Sequence, residues 1–111
     1  RWPWLDRLCE AACGIEADGG SVVIACSALK RAYRDRLRGA GRDVRFVHLS
    51  GDRAVIGERM AARRGHYMPP GLLDSQIATL EAPTADEGVM TFDVSQRPSR
   101  IVDEVAAQLA G

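Results

Sequence analysis

The sequence predicts an α/β domain, a three-layer arrangement with a parallel sheet flanked by helices. Ser21–Cys26 reads SVVIAC, an unbroken apolar run between a Gly-Gly turn and a polar turn, which is the pattern of a strand buried on both faces. Val44–Ser50 (VRFVHLS) and Val89–Val94 (VMTFDV) are two further short apolar runs. Segments of helical period lie before, between and after them, so strands alternate with helices, as a parallel sheet with crossover helices requires.

The 111 residues amount to a single domain, 1–111, with enough apolar content for a core. No run of 18 apolar residues occurs, so no membrane partner is expected, and the charged, aromatic start does not read as a signal peptide. Cys9, Cys13 and Cys26 have no metal spacing and cannot all pair. They read as small buried apolar residues in a reducing compartment, with the cytoplasm as the expected location. Net charge is zero, yet residues 28–66 hold eleven of the fifteen basic residues and four of the fifteen acidic ones. A local basic field on a neutral chain suits a small anionic ligand better than nucleic acid, whose binders carry a net basic domain.

Residues 2–17 predict an amphipathic helix with Pro3 in its first turn. Trp4, Leu8, Ala11 and Ile15 form its apolar stripe, with Leu5 and Ala12 beside it and Trp4 as a core anchor. Ligands of parallel sheets sit at the carboxyl ends of strands, so the segment after SVVIAC is a candidate site. Ser27 stands at that strand end, placed to cap the next helix. Lys30 and Arg34, i and i+4 near the helix start, either reach the mouth of the sheet or lie solvated. Leu29, Tyr33 and Leu37 make the packing stripe, and Arg31, Arg36 and Arg38 face solvent. His48, in the second strand, has no second ligand nearby and reads as structural.

A helix over 53–64 follows, buried through Val55, Ile56 and Met60, with Arg59 and Arg63 on the rim of that stripe and Arg64 next to them. Arginines four residues apart share a helix face and can grip adjacent oxygens of one phosphate chain. Gly65–Gly71, carrying His66, Tyr67 and two prolines, then breaks the helix before another over 71–81 with Leu73, Ile77 and Leu80. An arginine-bearing helix, a break and a return helix form what a phosphate-covering lid needs, placed at 64–82. The other reading of the same residues is a solvated basic helix. Ser95–Pro98 is a turn, and Ile101, Val102, Val105, Ala106 and Leu109 give the buried face of a last helix.

CSALKRAYRDRLR, FVHLSGD and ERMAARRGHYMPPGLLDSQIATLEAP, in that order, resemble the bacterial gluconokinases, and the likeness runs from RWPWLDRL to the final IVDEV helix. The resemblance implies the P-loop NTPase fold of adenylate-kinase-like enzymes and transfer of the ATP γ-phosphoryl to the 6-hydroxyl of D-gluconate. It also implies roles for residues. Arg59 lies against the adenine or its phosphates. Arg63 reaches the β- and γ-phosphates and the transition state, helped by Arg64. His66 and Tyr67 belong to the moving lid. Lys30 and Arg34, with Ser27, face the acceptor, whose carboxylate wants a cation. Gln76 closes on the same pocket, and Gln96 to Pro98 flank the adenine.

No GxxxxGK[ST] occurs in the sequence. By the resemblance, the chain is expected to be the C-terminal portion of a gluconokinase, inert and poorly stable alone. The phosphate loop, most ligands of the Mg²⁺ that accompanies ATP and the central strand of the sheet are expected to precede it. None of the residues here is assigned to metal. A homodimer is possible, as in related kinases. Two other readings stay open: a related small-molecule kinase, such as a shikimate-kinase-like enzyme, and a non-catalytic α/β remnant that binds an anion or a partner.

Overall fold

A computed structural model of the chain describes residues 2–41, 43–62 and 71–110. Its elements are helices α1 (Trp2–Ala17) and α2 (Arg31–Leu37), strand β1 (Val47–Ser50), helices α3 (Arg53–Ala62) and α4 (Leu72–Thr79), strand β2 (Met90–Asp93) and helix α5 (Pro98–Ala110). Short 3₁₀ turns cover Arg38–Ala40 and Ala85–Glu87. The chain divides into two compact units, one made of Arg1–Val44 with Gln76–Pro83, the other of Arg45–Ser75 with Thr84–Gly111.

In the first unit, α1 packs on α2 and the 3₁₀ turn through Leu5 and Ala12, both buried, against Leu37 and Ala40. The buried face is therefore rotated by one residue from the expected stripe. Leu5 is 1% exposed, whereas Trp4 is 50% exposed and is no core anchor. Polar anchors along the Leu5 side explain the rotation. Arg36 pairs with Asp6 at 2.6 Å, the Cys9 thiol donates to Arg36 O at 3.5 Å, and the Cys13 thiol donates to Ala40 O at 2.8 Å. Each satisfies a group near the end of α2, where helix carbonyls lack intrahelical donors. The three thiols are free, but Cys13 is exposed rather than buried. Trp2 meets Tyr33 edge to face at 5.4 Å.

The SVVIAC segment is not a strand. Residues 21–26 carry no ladder, and Val23 is 99% exposed. Extended backbone gains stability from paired N–H and C=O groups and covered faces, and among the described residues nothing pairs with this run. Its composition marks a strand that needs neighbours on both sides, and composition alone does not supply them.

In the second unit β1 and β2 are parallel, in the register Val47↔Met90, His48↔Thr91, Leu49↔Phe92 and Ser50↔Asp93. The parallel pairing expected for these two segments is met, with Phe92 as the buried anchor. β1 begins three residues later than expected, although Phe46 O still accepts from Met90 N at 3.0 Å. α3 turns Val55, Ile56 and Met60 partly inward, as expected. In α5 only Ile101 and Val105 are half-buried, while Val102 and Leu109 are exposed, so the buried face is narrower than the five-residue stripe. Before β2, Thr84 and Glu87 form a capping box, Thr84 N donating to Glu87 Oε2 at 2.9 Å, and Gly88 closes the turn in the left-handed region at φ 65°.

Candidate functional site

Two groups of predicted residues fall in described structure, one in each unit. In the first unit the residues after SVVIAC do not continue into helix. α2 starts only at Arg31, with Lys30 rather than Ser27 at its N-cap position, so Ser27 caps nothing. Ala28 holds a φ of 40°, a left-handed conformation uncommon for a residue with a Cβ.

Arg34 accounts for this shape. It is 4% exposed, and its guanidinium donates from Nη1 to Ala28 O at 3.0 Å and Leu29 O at 3.3 Å, and from Nη2 to Glu81 O at 2.9 Å. Glu81 closes the arrangement from its side: its N–H donates to Leu29 O at 2.7 Å, and its Oε1 accepts from Arg31 N at 2.9 Å. A planar fork with several fixed donors suits a cluster of carbonyls, which an ammonium cannot span. This is the geometry of a structural clamp on the loop, not of a cation presented to a ligand. Lys30 is exposed, with Nζ 5.9 Å from the Tyr33 ring centroid. That cation–π contact is weak when solvated and leaves the ammonium available to an anion. Gln76 lies half-buried in α4, where its carbonyl accepts from Leu80 N.

In the second unit the carboxyl end of β2 gathers the other group. Asp93 ends the strand, and its Oδ1 accepts from Ser95 N at 2.8 Å. The hydrogen bonds from the Ser95 backbone and hydroxyl, and then the positive charge of Arg59, hold the Asp93 carboxyl below its ordinary value. Arg59 itself is exposed on α3. Gln96 N donates to Asp93 O at 3.1 Å, while its side-chain Oε1 is buried without a partner. Pro98 follows as the first residue of α5, where its fixed φ fits and its missing N–H costs nothing. Gly51, at the end of β1, passes so close to the Val94 side chain that a Cβ there would collide with it. A larger residue would therefore push on this same turn.

Arg63, Arg64 and His66, with Tyr67 and the rest of the 64–82 segment before Gly71, lie outside the described residues. Among the described residues, α3 and α4 are tied by an Arg53–Asp74 ion pair. The sequence reading missed this pair, along with Glu81 and Asp93. Asp74, in the first turn of α4, is a position where acidic residues are favoured, but its partner lies 21 residues away and no local pattern discloses it.

Asp74 is held below the ordinary aspartate value of 3.8 by its hydrogen bond from Arg53, and Asp93 is lowered too. A carboxylate with a depressed folded value stabilises the fold above its unfolded value and loses that contribution as pH falls through the folded one. The urea midpoint of unfolding is therefore expected to be level near neutrality and to fall as pH drops below the ordinary aspartate range. Asp74→Asn should show a smaller fall. Identical acid profiles for the two proteins would remove the Arg53 pair as a contributor.

No protein-family profile matches the chain. Individual proteins do. A probable gluconokinase of Xenopus tropicalis is 41% identical, over 98% of this chain and 65% of its own length. A probable gluconokinase of Mus musculus is 37% identical, over 98% of this chain and 68% of its own length. The unliganded crystal structure of a sugar kinase from Janibacter superposes with a TM-score of 0.89 at 45% identity, over 99% of this chain and 64% of that one. The chain thus spans under two thirds of the Xenopus relative and slightly over two thirds of the mouse one.

Proposed function

The chain belongs to the gluconokinase family and has its P-loop kinase α/β fold, and on that premise we propose that it forms the acceptor and nucleotide-base side of an enzyme that phosphorylates D-gluconate with ATP, giving 6-phosphogluconate. The observation that carries this reading is the extent of the likeness: identity to gluconokinases of about two residues in five runs through nearly the whole chain, not through one motif.

In this reading each unit has a task. The Arg34 clamp fixes the loop from Ala28 to Lys30, and Lys30 offers its ammonium to the gluconate carboxylate, with Ser27 and Gln76 as further contacts. The turn at Gln96–Pro98 holds the base, and Arg59 lies over the nucleotide. Arg63, with Arg64, neutralises charge on the transferring phosphoryl group, and the 64–82 segment acts as the lid that carries His66 and excludes water. Phosphoryl transfer depends on such positioning and charge neutralisation more than on covalent chemistry by the protein. Among the described residues no three His, Cys, Asp or Glu side chains converge on one point. Mg²⁺ that accompanies ATP needs only one or two protein oxygens beside phosphate and water, and none of the described residues is assigned to it. No helix among them is long and apolar enough to cross a membrane. The proposed location is the cytoplasm, and a homodimer is the proposed assembly.

The acceptor is tested by a panel. The complete gene product carrying this chain should phosphorylate gluconate and leave shikimate and nucleoside monophosphates untouched. Preference for either of those would move the chain to a neighbouring activity. Lys30→Ala should raise the gluconate KM about tenfold, the loss of one charge-assisted bond, with little change in kcat. An unchanged KM would return Lys30 to the solvated surface.

A further inference from the structure

Glu81 holds the chain on both sides of Lys30. Its N–H donates to Leu29 O at 2.7 Å, and its Oε1 accepts from Arg31 N at 2.9 Å. Leu29 and Arg31 are the two neighbours of Lys30 in the sequence. The Glu81 carbonyl oxygen also accepts from Arg34 Nη2 at 2.9 Å, which joins the same residue to the clamp.

The bonds through the Glu81 backbone belong to any residue but proline at that position. The bond through its carboxylate is the one that the side chain decides. Lys30 stands at the N-cap position of α2 and makes no side-chain capping bond, and the first N–H groups of a helix have no intrahelical acceptor. Glu81 Oε1 supplies that acceptor from outside the helix, as a charge-assisted bond. The contact is exposed, so water can take over the Arg31 N–H and the fold loses little without it. Direction is what water cannot replace, since it follows the N–H wherever the backbone goes. The backbone here has reason to move: Ala28 holds a φ of 40°, disfavoured for a residue with a Cβ.

We propose that Glu81 is a positioning residue for the acceptor: its carboxylate fixes the Lys30 backbone through Arg31 N, and so aims the Lys30 ammonium at the acceptor carboxylate. The role rests on the reading of Lys30 as the gluconate contact.

The test is steady-state kinetics of the complete gene product, with gluconate varied at saturating ATP. Glu81→Ala should raise the gluconate KM about three- to fivefold, less than the about tenfold of Lys30→Ala through which it acts. The kcat should stay within about twofold of the parent value and the urea midpoint should barely move. Glu81→Gln keeps an oxygen for Arg31 N and should bring KM back within about twofold of the parent. In the Lys30→Ala background, Glu81→Ala should raise KM no further, because its effect passes through the missing ammonium. Arg31→Pro removes the same bond from its other end. Proline suits the first helical position, and Lys30 before it is already extended at φ −106° and ψ 145°. Its KM should exceed that of Arg31→Ala, which keeps the N–H, by about the Glu81→Ala factor. This comparison decides the role even where Glu81→Ala does not fold.

A parent protein that forms no 6-phosphogluconate defeats the gluconokinase reading, and the role of Glu81 with it. With an active parent, four results overturn the Glu81 proposal alone. They are a parent KM in Glu81→Ala, a Glu81→Gln protein as impaired as Glu81→Ala, a further rise in the Lys30→Ala background, and equal KM values for the two Arg31 variants.

Discussion

Arg63→Ala in the complete gene product is expected to lower kcat by about three orders of magnitude while the gluconate KM changes little. An arginine on a transferring phosphoryl group meets its full complement of charge only in the transition state, and such residues contribute about 10³–10⁵ in rate. An interaction made chiefly in the transition state lowers kcat and kcat/KM together. The assignment rests on sequence position: Arg63 stands four residues after Arg59, and the α3 helix that bears Arg59 runs to Ala62. Arg63→Lys should recover part of the loss, since a point charge replaces the fork imperfectly. Turnover equal to the parent would remove Arg63 from the reaction and leave a solvated basic helix end.

Arg34→Ala has the largest expected effect on stability. The side chain is 4% exposed and serves three backbone carbonyls, those of Ala28, Leu29 and Glu81. A hydrogen bond from a charged donor contributes about 1.5–3 kcal/mol, and carbonyls left buried without donors add a penalty. The bonds are coupled through one guanidinium and do not add in full. A loss of about 3 kcal/mol, read from urea unfolding, is therefore expected. Arg34→Lys supplies one bond at best and should recover less than half of it. If Arg34→Ala leaves the unfolding midpoint in place and instead raises only the gluconate KM, the clamp is wrong and the arginine faces the acceptor.

These two arginines show where sequence reasoning reaches and where it stops. The boundaries of α1 were legible from Pro3 and the glycines after Ala17, because helix ends are local. Which face of α1 is buried was not, because Asp6, Cys9 and Cys13 find their partners 26 to 30 residues away. The two paired strands were legible as apolar runs with turn residues around them. The third run, SVVIAC, carries the same signal and is not a strand, since a strand's stability comes from neighbours that no local pattern encodes. Arg34 looked like a ligand cation because it follows Lys30 by one helical turn. Only Ala28, turned to a positive φ, and Glu81, 47 residues on, show what its donors are for. The group at Gln96 was partly legible: the turn and its residues were picked out, whereas the effect of the Arg59 charge on Asp93 joins residues far apart in the sequence, which no local pattern encodes.

The central claim is that this chain is part of an enzyme that moves a phosphoryl group from ATP to gluconate. Its most direct test is a steady-state assay of the complete gene product with ATP, Mg²⁺ and D-gluconate, coupled to the oxidation of 6-phosphogluconate and run beside a measurement of ADP. The account predicts 6-phosphogluconate and ADP in equal amounts, both dependent on gluconate. A folded protein that forms no 6-phosphogluconate, or that releases ADP at the same rate with gluconate left out, would contradict it.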